Sequence, residues 1–232
     1  MAGYASGYDW DADRVALLEA ILSHAAFDGW SQTAFDAGAR EAGIPADRAL
    51  NAFPGGMAEV LAFHNEIADR LMLEDMAKAN VAEMRVRDRV TFGVKTRLQR
   101  HVRHREAIKS ACSFLAMPLN AALALKLLYR TVDAIWYAAG DNATDFNFYT
   151  KRGLLAGVYS ATLLYWLNDR SPDCADTWAF LDRRIEEVMQ VPKLLGRLGS
   201  LTERLPNPFR VAQRMRPGGA RKGHFRTRAR HG

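Results

Sequence analysis

VRDRVTFGVKTRLQRHV, residues 86–102, sets Val86, Val90, Val94, Leu98 and Val102 at a strict spacing of four. Apolar side chains three or four apart share one face of an α-helix, whereas a half-buried strand alternates them two apart. The stretch therefore predicts a helix. Arg85, Arg89, Arg97, Arg100, Arg103 and Arg105 fall on its other faces. They form either a solvated basic surface or one that meets anionic lipid or a partner. The same period recurs on both sides. Upstream it predicts helices over 11–27, 33–41, 46–52 and 57–81. The first turns Val15, Leu18, Leu22 and Phe27 inward, and the fourth Val60, Leu61, Phe63, Ile67 and Leu71. Downstream, helices over 107–117, 119–139, 145–168 and 173–190 are separated by the turns MPLN, AGDN and NDRSPD. Period-two patterns are almost absent, so the fold class is all-α.

The 232 residues, 49% of them hydrophobic, suit one domain, or one domain with a small subdomain and a tail. The most apolar run, residues 111–129, is interrupted by Pro118, Asn120 and Lys126. It reads as buried helix and not as a membrane span. Cys112 and Cys174 have no metal spacing and are expected to be reduced thiols. The first residues, MAGYASGYDWDADR, show neither secretory nor transit-peptide character, which predicts a bacterial cytoplasmic setting. Charge is unevenly spread. Residues 1–64 sum to −6, 65–192 to +2 and 193–232 to +10, within a total of +6.

Motifs for catalysis are lacking. His24, His64, His101, His104, His224 and His231 form neither an HExxH pair nor a Glu-x-x-His pair for di-iron. No P-loop, GxGxxG or GxSxG occurs. Asp141 and Asp145, four apart at a turn, read as helix capping. No catalytic residue, metal or cofactor is expected, and the chain reads as a non-enzyme.

The first three helices, followed by FPGGMAEVLAFH, resemble the DNA-binding head of TetR-type repressors. Groove binding needs a basic surface to meet phosphates. This head is acidic, and its would-be recognition helix, PADRALNA, offers only Arg48 and Asn51 for contact. No nucleic-acid partner is expected, and a TetR-type regulator sensing an apolar ligand is the alternative reading. Further on, TVDAIWYAAGDNATDFNFYTKRGLLAGVYSATLLYWLNDRS and DTWAFLDRRIEEV resemble a specific family, the lipid-binding accessory proteins of ubiquinone synthesis known as coenzyme Q biosynthesis protein nine. That resemblance implies a TetR-like bundle of about nine to ten helices, usually dimeric, with a C-terminal amphipathic helix. It implies an isoprenoid quinone lipid as ligand and the di-iron demethoxyubiquinone hydroxylase as partner, at an anionic membrane surface. For the domains it implies a degenerate helix-turn-helix-like head at 11–64 and a lipid-binding body at 65–190. From the residues themselves, 193–209 read as a membrane-associated helix and 217–232, low in apolar content, as a disordered basic tail.

Three candidate sites follow. Carried over from the family, Trp136, Asp141, Asp145, Asn147, Phe148, Tyr149 and Arg152 form the hydroxylase-docking patch. Phe148 stands where the family often has tryptophan, keeping the ring and losing the indole donor. The same aromatics also suit a filled domain corner. Leu127 and Leu128, with Leu155, Val158, Tyr159, Thr162 and Trp166, are the candidates for a lipid cavity; core packing or a dimer face explains such side chains equally. Leu194, Leu198, Leu201 and Leu205 make a narrow stripe flanked by Arg197 and Arg204. This suits either an interfacial helix on the inner membrane or a last helix docked on the body.

Overall fold

The structure, a computed structural model, describes the backbone of residues 11–141 and 146–202 and the side chains of 11–141 and 148–188. Among the described residues the chain is helical and without strands, as the periodicity predicts. The helices are α1 (Ala12–Asp28), α2 (Gln32–Glu41), α3 (Ala46–Ala52), α4 (Gly56–Lys78), α5 (Val86–Gln99), α6 (Arg105–Ala116), α7 (Ala121–Ala138), α8 (Phe146–Asn168) and α9 (Ala175–Thr202). The break expected between 190 and 193 is absent, since α9 continues through Pro192. The chain divides into two compact units, residues 1–189 and 190–232, and the first holds everything described below.

Local signals set the head. Asp11 caps α1 by accepting from the N–H groups of Asp13 and Arg14 at 2.9 and 3.3 Å. Ser31 caps α2 through Ala34 N–H at 3.3 Å. Gly38 lets α2 lie close on α1, because a Cβ there would meet Ile21 Cγ1 at 2.5 Å. Leu17, Leu18, Ile21 and Leu22 pack with Phe35, Phe53 and Phe63 in one apolar cluster. Phe27, expected inside, is 91% exposed. It follows Leu18 by nine residues, which at about 100° per residue puts it on the opposite face. Trp30 Nε1 donates to the carbonyl of Ala107 at 2.9 Å, tying the head to α6.

From the head, α4 runs uninterrupted into the body. Val60, Leu61, Phe63, Ile67 and Leu71 are buried along it as predicted. It stops at Lys78, short of 81, because Asn80 takes a left-handed conformation at φ 49°. In α5 the predicted stripe holds only in part. Val90, Val94 and Leu98 are buried, while Val86 and Val102 are exposed. A spacing of four drifts by about 40° per step, so the stripe leaves the core at both ends. Arg97, expected on the solvated face, is only 2% exposed. It follows Val90 by seven residues and shares its arc to within about 20°. The apolar run 111–129 is likewise not one buried helix. It bends between α6 and α7, and Met117, Leu119 and Leu125 are exposed. Among the described residues no single helix is long and apolar enough to cross a membrane. Cys112 and Cys174 are free thiols.

Candidate functional site

Helices α4 to α8 line a partly open cavity of about 330 Å³. Its walls are mainly apolar: Leu61 from α4, Ile108 and Leu115 from α6, Leu127 and Leu128 from α7, Leu163 and Leu164 from α8. One end is polar. There Arg97 Nε donates to Asp69 Oδ1 at 2.8 Å, and a second guanidinium nitrogen donates to Asn65 Oδ1 at 3.0 Å. Thr131 Oγ1 donates to the same Asp69 oxygen at 2.8 Å, and Asn65 Nδ2 donates to the other at 2.9 Å. Arg97 also donates to His101 Nε2, which leaves that imidazole proton on Nδ1. The Arg97–Asp69 pair is internally neutral, as a buried charge must be.

The cavity's histidines are neutral as well. Burial, then the positive charges of Arg97 and His104, push His64 down to about 3. Burial and Arg97 hold His101 well below the usual histidine range. Tyr159 is buried, lines the same end, and makes no hydrogen bond among the described residues. Burial raises its phenol above the ordinary tyrosine value, so the O–H stays protonated and can donate.

Beside the cavity a polar bracket joins the end of α7 to the start of α8. Gly140 closes α7 at φ 85°, with Gly140 N–H on the carbonyl of Tyr137 and Asp141 N–H on that of Trp136, each at 3.0 Å. Asp141 then receives Lys151 Nζ at 2.7 Å and Arg152 at 3.3 Å. Arg152 Nε reaches Asp133 at 2.6 Å, and its guanidinium lies 3.3 Å from the centre of the Phe148 ring. Trp136 Nε1 donates to the Lys151 carbonyl at 3.1 Å. Between these helices runs a groove of about 340 Å³, lined by Leu125, Tyr129, Val132 and Tyr149 and sharing Leu128 with the cavity.

Residues 121–192, which carry the bracket and the whole lining of the groove, match the model of the COQ9 family. The chain is 34% identical over 206 residues to the mitochondrial ubiquinone biosynthesis protein COQ9 of Drosophila melanogaster, covering 87% of this chain and 63% of that protein. It is 35% identical to the protein of the same name from Rattus norvegicus, covering 82% and 62%. The chain is similar to the COQ9 family through this model match and these relatives. It spans a little under two thirds of the length of these relatives. A TetR transcriptional regulator from Nitrosomonas europaea superposes with a TM-score of 0.62 at 20% identity, over 77% of this chain and 99% of that one, which makes the fold TetR-like. The expected bacterial cytoplasmic setting, peripheral to the inner membrane, is overturned, because these COQ9 relatives are named mitochondrial.

Within this chain the cavity gathers three of the seven predicted residues, Leu127, Leu128 and Tyr159. Four are corrected. Leu155 and Val158 face a space of about 10 Å³ beside Val90 and Ile185. Thr162 is buried and donates to the Val158 carbonyl at 2.7 Å. Trp166 is buried under the Arg105 guanidinium at 4.5 Å. Helix α8 is apolar nearly all round, so periodicity alone does not say which arc meets the cavity. The polar end was missed altogether. Its available signal was Arg97 and His101 recurring on the Val90 arc, where an arginine at a core position needs a buried acid.

Of the predicted docking residues, Trp136 and Arg152 are buried and the Asp141 side chain is only 6% exposed, so they brace the surface from beneath. Asp141 forms ion pairs with Lys151 and Arg152. Tyr149 is 71% exposed and Phe148 half-buried. Exposed Tyr137, not among the predicted residues, lies one turn before Gly140. Asp145 lies outside the described residues, as do the side chains of Asn147 and of Leu194, Arg197, Leu198 and Leu201. The same holds for Arg204, Leu205 and the basic tail.

Proposed function

We propose that this chain is a non-enzymatic lipid-binding accessory protein of ubiquinone biosynthesis. It holds an isoprenoid quinone intermediate and presents it to the di-iron demethoxyubiquinone hydroxylase. The observation that carries this reading is the cavity, whose apolar walls end in a neutral polar cluster with the Tyr159 hydroxyl to spare. An apolar tail gains about 0.8 kcal/mol per buried CH₂, and the polar end orients an oxygen-bearing ring. The cavity is near the small end of the usual range of about 300–1,000 Å³, so a long tail continues into the α7–α8 groove. Names of the relatives supply the pathway.

Docking falls to Tyr149, Phe148 and Tyr137, held in place by the Asp141 bracket; aromatics on a rigid support are typical interface anchors. Residues 193–209, with their leucines and arginines, lie on an anionic membrane surface, and the chain acts as a homodimer. Mass spectrometry of lipids that copurify with the protein tests the ligand. Finding only phospholipid, and no prenylated ring, would sink the reading. Tyr149→Glu should weaken association with the hydroxylase by about tenfold or more while leaving bound lipid unchanged. Undiminished association would remove the docking claim. A TetR-type regulator is the weaker reading: the fold permits it, but Arg48 of the would-be recognition helix is tied to Asp13.

A further inference from the structure

The corner between α6 and α7 has no role in that reading. From Ala116 to Ala122 every residue except Asn120 is exposed, and Leu119 is 94% exposed. Met117 and Leu125 are also exposed. An apolar cluster of this size on a surface calls for a covering. The helices on either side pass together, by length and composition, for a membrane span, yet they bend through 94° at this point.

Three observations say what covers it. The first is charge. From Ala107 through Val132 there is no acidic residue, and exposed Lys109 and Lys126 flank the apolar tip, while Arg130 pairs with Glu66 of α4 at 3.9 Å. The second is backbone satisfaction. Asn120 Nδ2 donates to the Phe114 carbonyl at 2.8 Å, Met117 N–H donates to the same carbonyl at 3.3 Å, and Asn120 N–H donates to the Met117 carbonyl at 2.9 Å. Pro118 has no N–H to satisfy. Each polar group of the bend used internally in this way enters hydrocarbon without the cost of several kcal/mol that a bare group carries. The third is position. Leu115 and Ala116 before the bend and Ala124 and Leu128 after it line the cavity.

From these we infer that the α6–α7 corner inserts into the acyl boundary of an anionic bilayer, with Met117 and Leu119 as wedge and Lys126 reaching back to the headgroups. It thereby opens the cavity directly onto the membrane. Apolar side chains buried in the interface supply the binding, and the basic flank adds attraction to anionic lipid. The entry role rests on the cavity being a lipid site; the insertion itself does not.

The test uses the full chain with vesicles of equimolar phosphatidylcholine and phosphatidylglycerol. Leu119→Glu, at a position too exposed to affect folding, should lower vesicle partitioning by about tenfold or more. Leu50→Glu, another exposed apolar site, should leave it unchanged. To read the corner apart from other membrane contacts, a polarity-sensitive fluorophore is attached at Leu119→Cys in a Cys112→Ser background. Its emission should shift to the blue and be quenched by lipids spin-labelled in the acyl chain. An unshifted emission, or partitioning equal to the parent's, overturns the inference. So does a change of oligomeric state in Leu119→Glu without loss of partitioning, which would make the corner a contact between copies. A prenylated quinone delivered in detergent separates the two readings. Loading in detergent with slow loading from vesicles in Leu119→Glu supports the entry role. Insertion without any loading defeats the cavity reading and, with it, the entry role alone.

Discussion

At the scale of single residues, Arg97 shows how the cavity's polar end is held. Its guanidinium is buried against Asp69, Asn65 and His101. Removing one member of such a pair strands the other charge, which costs about 3–5 kcal/mol. Arg97→Met should therefore lower stability in urea unfolding by about that much, and a double change with Asp69→Leu should recover part of it. His64 gives a pH prediction. The unfolded chain protonates histidine near pH 6.5, whereas the folded chain protonates His64 only at about 3. Between those values the unfolded state binds the extra proton. Stability is thus full above about pH 6.5 and falls as the pH drops toward the folded value, by up to about 1.4 kcal/mol per pH unit. His101, lowered for the same reason, steepens the fall. Unfolding midpoints measured from about pH 7 down to 5 should decline, and His64→Phe should remove a large part of that decline.

At the scale of elements, the helices were legible in the sequence and their faces less so. Period and caps locate most boundaries within a few residues: α8 begins at 146 where 145 was expected, and α7 ends at 138 where 139 was. The faces fail where a helix is apolar on more than one side, as α8 is, or where counting by four drifts off the core, as in α5. Long-range pairing lies beyond any local pattern. Arg97 meets Asp69 across 28 positions and Asn65 meets Thr131 across 66, so the polar end of the cavity exists only in the fold. The docking stretch was read from its resemblance, and geometry divides it into a buried bracket and an exposed face. A consequence for α8 follows from the arc that lines the cavity. Leu163→Trp puts an indole into the 330 Å³ space and should abolish binding of a prenylated ligand while holding or raising the melting temperature. Leu155→Ala, on the packed arc, should do the reverse: retain the ligand and lose about 2–5 kcal/mol of stability. Equal effects on binding from both changes would mean that the arcs are misassigned.

For the whole molecule, the charge distribution sets what a binding experiment can mean. The TetR-like fold invites a test of DNA binding, but the positive field is concentrated in residues 193–232 at +10, far in sequence from the −6 of residues 1–64. A basic segment binds any polyanion through counterion release, with affinity falling steeply as salt rises. The full chain should accordingly show weak, salt-sensitive and sequence-independent affinity for duplex DNA, and such a result would say nothing about the head. Removing residues 193–232 discriminates. If the head is only a packing element, as the Arg48–Asp13 pair and its acidic surface argue, the truncated chain should keep its helical circular dichroism and lose DNA affinity by about a hundredfold or more at low salt. If the head still reads DNA, a salt-dependent and sequence-selective affinity survives the truncation. The same truncated chain should lose most of the salt-sensitive part of its affinity for anionic vesicles. It should retain a smaller, salt-resistant part carried by the α6–α7 corner, because apolar insertion is not screened by ions.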